Sequence, residues 1–265
     1  MINKPVTGVA AAVVVIAAGT WYYLQNRHAE QSRAPEAAQT PPPAGPPEET
    51  AIQHPLPGGQ APASAAPLPS LADSDPALSD ALGQVAGSTT VKDYLLPENI
   101  IRRLVVTIDN LPRQKVAVQK RPAGAVGGAF IADGDELHAT LDAQNFTRYQ
   151  PMVSVVAKLD MRQVAAVYIR FYPLFQQAYQ DLGYPNGYFN DRLVQVIDSL
   201  LATPQPAGPI ALVRPNIMYA FADPALESRP AGQKLLIRMG PDNMAVIKTK
   251  LEELRAAVTA APPKR

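Results

Sequence analysis

Proline divides this chain more sharply than any other residue. Eleven of its 28 prolines fall between Pro35 and Pro69, a stretch without a single aromatic residue. Each proline fixes φ and removes a backbone donor, so neither a helix nor a sheet ladder propagates through such a run. Few large apolar side chains are present to offset the entropy of ordering. Residues 25–70 are therefore expected to form a disordered, Pro/Ala-rich linker, reaching roughly 130 Å when extended. Residues 71–258 are long enough for one substantial hydrophobic core. They carry 19 Lys and Arg against 19 Asp and Glu, so this part of the chain is neutral. Residues 259–265 are expected to be a disordered tail.

Ahead of the proline run, Val6 to Leu24 holds no charged residue. At ~1.5 Å rise per residue this stretch spans roughly 28 Å, close to a bilayer's hydrocarbon thickness. Trp21, Tyr22 and Tyr23 cluster at its end, where amphipathic rings favour the headgroup boundary. The pattern predicts an uncleaved, single-pass signal anchor behind a short tail, residues 1–5. The competing reading is a signal peptide cut near Ala17-Ala18-Gly19. Lys4 on one side and Arg27 and Arg33 on the other nearly balance the positive-inside count. A tail this short can stay inside while the rest is exported. In a bacterium, that places the anchor in the inner membrane and the globular part in the periplasm.

Residues 71–258 read as mainly α (α+β), a compact multi-helix domain with one or two short β-hairpins. Asp75-Pro76 caps and opens one helix, and Pro97 opens another with Ile101, Leu104, Ile108 and Leu111 on one stripe. After the capping residue Asp160, the residues Val164, Tyr168, Phe171, Phe175, Ala178 and Leu182 recur at spacings of three and four. They make one apolar seam, with Pro173 expected to kink it. Hairpins are expected around Asp133-Gly134-Asp135 and around Arg214-Pro215-Asn216. A short helix over Gln233 to Met239 and a terminal amphipathic helix through Met244, Ile247, Leu251, Leu254 and Val258 complete the reading.

The run LGYPNGYFNDRL, Leu182 to Leu193, crowds two glycines, a proline, two asparagines and three aromatic rings between helices. Gly183 suits a left-handed helix stop, Tyr184-Pro185-Asn186-Gly187 a turn, and Asn190 an N-cap. Most of the run is thus expected to turn a corner between two helices. Its exposed polar and aromatic residues still make it the candidate binding surface: Tyr184, Asn186, Tyr188, Asn190, Asp191, Arg192 and, two turns on, Asp198.

The absence of cysteine excludes disulfides, thiolate metal sites and cysteine nucleophiles. Of three histidines only His138 lies in the globular part, and there is no G-x-S-x-G elbow for a serine triad. No metal site and no cofactor are expected. The neutral domain lacks the clustered positive charge of a nucleic-acid binder. Asp191 and Asp198 stand seven residues apart, ~10 Å along a helix, which leaves a carboxylate pair for glycan hydrolysis as the one enzymatic alternative.

The segments DNLPRQKVA, FYPLFQQAYQDLGYPNGYFNDRLVQVIDSLLATP and AGQKLLIRMGPDN resemble the bacterial domain-of-unknown-function family three-zero-one-four. The resemblance spans residues 68–258. It implies an envelope protein with an N-terminal membrane segment and a Pro/Ala-rich linker, and it implies no reaction, cofactor or catalytic residue. The expected protein is a membrane-tethered, non-catalytic interaction domain. Its partners would be the membrane and an envelope protein or cell-wall component, with the oligomeric state left open.

Overall fold

The computed structural model describes residues 51–57, 67–114, 122–124, 127–135, 138–215 and 218–259. The expected tail 1–5, the span Val6 to Leu24 with Trp21, Tyr22 and Tyr23, and most of the linker lie outside the described residues. Among the described residues, no helix is long and apolar enough to cross a membrane.

The described part is mainly helical with two short antiparallel hairpins. After a 3-10 turn at Leu71–Asp73 come α1 (Asp75–Ala86), α2 (Ser88–Tyr94) and α3 (Ile100–Asn110). A hairpin of β1 (Ala132–Asp133) and β2 (Thr140–Leu141) follows, then α4 (Gln144–Thr147), α5 (Gln150–Ala157) and α6 (Met161–Asp181). The chain continues with α7 (Phe189–Leu201), β3 (Leu212–Val213), β4 (Ala220–Phe221), α8 (Pro224–Glu227), α9 (Ala231–Met239) and α10 (Pro241–Thr259).

The order from α3 to α6 is repeated from α7 to α10: helix, hairpin, one-turn helix, helix, long helix. Ala132 and Leu212, Thr140 and Ala220, Gln144 and Pro224, and Met161 and Pro241 open corresponding elements, each pair 80 residues apart. The hairpin registers correspond too, Ala132 facing Leu141 and Leu212 facing Phe221. In each half the first helix packs on the last, α3 on α6 and α7 on α10. The halves then meet through α6 on α10 and α3 on α7. The two hairpins touch through a bridge between Thr140 and Ala211 and enclose a small apolar cluster of Leu141, Leu212, Phe221 and Ile237.

The main core lies between the four long helices. Phe171, Phe175, Phe189, Ile197, Met244 and Ile247 are all buried in it. Burying each such side chain favours folding by roughly 1.5–3 kcal/mol. The seam of α6 is core over Tyr168, Phe171, Phe175 and Ala178, while Leu182 at its end is exposed. Asp160 caps α6 by accepting from the Arg162 N–H at 2.9 Å, and the helix runs on through Pro173.

Three expectations about helix boundaries are corrected. α3 opens at Ile100 and not at Pro97, because Asn99 adopts a left-handed φ of 54° immediately before it. Asp75, expected to cap its own helix, sits inside α1 and accepts instead from the N–H groups of Asn99 and Ile100, at 2.6 and 2.8 Å. Thr259, placed in the tail, belongs to α10. Four helices escaped the sequence reading: α2, α5 and the one-turn α4 and α8. α2 carries a Thr-Thr-Val run, and β-branched residues weaken helix propensity. α5 holds Pro151 in its first turn.

Candidate functional site

The Leu182 to Leu193 run connects α6 to α7, so it is the junction between the two halves. Gly183, at φ 113°, ends α6, and the Gly187 N–H closes a turn onto the Tyr184 carbonyl at 3.0 Å, both as the sequence predicts. A Cβ on Gly187 would stand 2.7 Å from Cε1 of Tyr179, which is why glycine occupies that corner.

Beneath the turn lies a glutamine switchboard. Gln176 of α6 donates to the Gly187 carbonyl at 2.7 Å and accepts from the Phe189 N–H and the Tyr172 hydroxyl, both at 2.9 Å. Burial pushes the Tyr172 phenol well above its ordinary range, with the neighbouring Tyr188 hydroxyl adding to the effect. Burial does the same to Tyr168, reinforced by Tyr172 and Tyr188. Both phenols therefore stay protonated and act as donors.

Asn190 is not the N-cap. α7 begins two residues earlier than such a cap implies, at Phe189, which leaves Tyr188 in the capping position and turns the Asn190 carboxamide into the interior. There, fully buried, it accepts from the Tyr168 hydroxyl at 3.1 Å and donates to the carbonyls of Val258 in α10 and His54, at 3.2 and 2.8 Å.

The His54 contact corrects the linker reading for seven residues. Ala51–Pro57, within the span expected to be disordered, lies against the junction. The Asp191 carboxylate accepts from two consecutive N–H groups, Gln53 at 3.0 Å and His54 at 2.6 Å. The Leu56 N–H donates to the Tyr188 hydroxyl at 3.3 Å, and the Leu56 side chain packs on the core. The physical reason is that main-chain groups, and not aromatic side chains, hold this segment. Asp191 sits in the first turn of α7, where the helix dipole favours its negative charge. Pro55 and Pro57 reduce the conformational freedom that docking removes.

On the other side of the turn, Tyr184 and Arg192 converge on a residue that the sequence reading did not single out. Asp109, at the end of α3 and buried, pairs with Arg113 at 2.6 Å and with Arg192 at 3.0 Å. Arg192 also donates to the Asp109 carbonyl at 2.7 Å. Tyr184 stacks on Tyr179 at 4.6 Å, accepts from Arg113 and donates to Asp109. Burial raises the Tyr179 phenol, with Arg192 opposing and Asp109 reinforcing. The spacing of four between Asp109 and Arg113 was the available signal, although Arg113 lies beyond the end of α3. Asn186 is exposed at the tip of the turn.

Asp198 belongs to neither group. It pairs with Arg255 of α10 through two contacts, at 2.6 and 3.1 Å, in an exposed position. The pairing raises the Arg255 guanidinium above its usual value. The two candidate carboxylates thus face different partners, a docked peptide segment and an arginine. A cleft of about 730 Å³ lies elsewhere, by the hairpins, bordered by Asp133, Asp142, Phe146, Gln205, Ile237 and Met244. None of the candidate residues lines it. Among the described residues, no group of three or more acidic or histidine side chains could hold a metal ion.

Residues 100–255 match the family described as protein of unknown function, DUF3014. The chain belongs to this family. The matched span starts at the first residue of α3 and ends within α10, so it takes in both halves and the junction between them. Ala51–Pro57, α1 and α2 lie outside it. Neither a curated protein nor a solved structure matches the chain significantly.

Proposed function

We propose that this DUF3014 member is a single-pass inner-membrane protein, anchored by Val6 to Leu24, that presents a non-catalytic interaction domain to the periplasm. The observation that carries the interaction reading is the use made of the junction's polar groups. Tyr188, Asn190 and Asp191 hold the main chain of a bent peptide segment. An acid–base pair needs two carboxyls converging on an open cleft. Here Asp191 is covered and Asp198 is spent on Arg255, which argues against glycan hydrolysis. The anchor is supported by the uncharged length of Val6 to Leu24 and by the aromatic cluster at its end.

Two measurements test this. A periplasm-dependent reporter fused after Arg265 is expected to be active, with the protein retained in membranes after an alkaline wash. A cytoplasmic signal or a washed-off protein removes the anchor reading. A photo-crosslinker at exposed Asn186 is expected to trap a distinct envelope protein or wall fragment in intact cells. Recovery of only bulk lipid and abundant neighbours would remove the interaction reading.

A further inference from the structure

The contacts between Ala51–Pro57 and the junction read only main-chain atoms. Asp191 takes the N–H groups of Gln53 and His54, the Asn190 amide takes the His54 carbonyl, and the Tyr188 hydroxyl takes the Leu56 N–H. None of these contacts uses the Gln53 carboxamide or the His54 ring. The residue that gives no N–H, Pro55, falls between the donors His54 and Leu56, so proline is accommodated without leaving an acceptor unmatched. The one side chain of the segment that packs on the core is Leu56. The groups that meet the segment are anchored by the fold. Asp191 is carried by the first turn of α7, and Asn190 is buried and held by Tyr168 and Val258. Hydrogen bonds to main-chain groups give a peptide-binding module affinity without reading side chains.

We propose that Tyr188, Asn190 and Asp191 form a peptide-binding site for a bent, proline-containing main chain, with this chain's own Ala51–Pro57 as the resident ligand. A partner segment must displace it. The partner's recognisable chemistry is two consecutive N–H groups, then proline, then an apolar residue that also donates its N–H. Because the resident segment is covalently attached, a free peptide competes against an effective concentration of the order of millimolar. Release of the segment therefore exposes the site. This deepens the interaction reading of the junction and rests on it.

The test uses the full chain in detergent and a fluorescein-labelled peptide spanning Thr50 to Gly58. A variant carrying Q53G, H54S, P55G and L56S keeps the chain length but removes the resident ligand's contacts. It is expected to bind the peptide with an affinity at least tenfold tighter than the native chain does. Adding Asp191→Ala is expected to weaken that binding by tenfold or more, since two charge-assisted bonds are lost. A peptide with H54P, which lacks one of those two N–H groups, is expected to bind severalfold more weakly, whereas H54A binds unchanged. Equal binding of the H54P and H54A peptides overturns the main-chain-reading site. So does absence of binding to a variant whose thermal melt matches the native protein.

Should the fourfold variant fail to fold, hydrogen exchange on the native chain decides the matter. The Gln53 and His54 amides are expected to be protected, and excess unlabelled peptide is expected to remove that protection. Amides that exchange freely in the native chain overturn the proposal. The two readings fail separately: an envelope protein trapped at Asn186, with capture indifferent to added peptide, keeps the interaction domain and rejects this site.

Discussion

Asp109 and Asp191 lie on opposite sides of the same junction and are put to opposite uses. Asp109 is buried at the end of α3 and bound by two arginines, one just beyond its own helix and one from α7. Asp191 lies at the edge of α7 and holds two N–H groups of a segment more than a hundred residues away in sequence. The first ties the two halves of the fold together through side chains. The second holds main-chain groups, which other peptides also carry. The difference separates an architectural charge from an exchangeable one.

Removing Asp109 gives the largest expected effect. Asp109→Ala leaves Arg192, whose side chain is only 19% exposed, without its carboxylate, and also loosens Tyr184. Breaking a buried pair by deleting one partner costs about 3–5 kcal/mol. Urea unfolding of the full chain should show the midpoint falling accordingly. A loss under about 1 kcal/mol would show that the two halves are not joined through this cluster.

Tyr168 supplies the next largest effect, and its pH dependence sharpens the contrast. Tyr168→Phe deletes the hydroxyl that satisfies buried Asn190, at a cost of about 1–3 kcal/mol near neutral pH. The folded state holds the Tyr168 and Tyr172 phenols above their unfolded value of ~10, so it binds those protons more tightly than the unfolded chain does. Their contribution is fully present below pH ~10 and is lost as pH rises above it. The stability of the native protein should therefore decline above pH ~10, with a shallower decline in the Tyr168→Phe variant. Equal slopes in both proteins would remove Tyr168 as the source.

Asp191→Ala is expected to cost the helical body only about 0.3–1 kcal/mol, the worth of a negative charge in a helix's first turn. Yet it should free Ala51–Pro57, read as faster exchange at Gln53 and His54. A large stability loss with no change at the segment would reverse the roles of the two aspartates.

Much of this architecture was legible in the sequence. The seam of α6, the Gly183 stop and the Tyr184 to Gly187 turn follow from local chemistry, and each reads as the structure has it. The junction's polar roles were not legible, because they depend on partners far away in the chain. Asn190 looks like a cap until α7 starts two residues early and its amide faces Val258 and His54. Asp75 likewise caps α3 and not α1, which only the packing of the two helices reveals. The 80-residue repeat was hidden for a different reason. The halves share their order of elements, but corresponding residues differ: Asp160 precedes one long helix and Gly240 the other. The docked segment was missed because proline content reports a lack of core-forming residues, and this contact is made by backbone.

Asp198 gives the smallest expected effect and bears on the hydrolase alternative. It and Arg255 are both exposed beyond a third, and exposed pairs contribute about 0.2–1 kcal/mol, less as salt rises. Asp198→Asn should therefore lower the urea midpoint slightly at low ionic strength and not at all at high. It should leave both crosslinking at Asn186 and peptide binding intact, because Asp198 faces α10 and not the docked segment. A carboxylate needed for hydrolysis would behave in the opposite way, with stability unmoved and turnover of an envelope glycan abolished. Loss of such turnover in Asp198→Asn and in Asp191→Asn alike would restore the carboxylate pair. It would also mean that the segment over Asp191 covers a catalytic group.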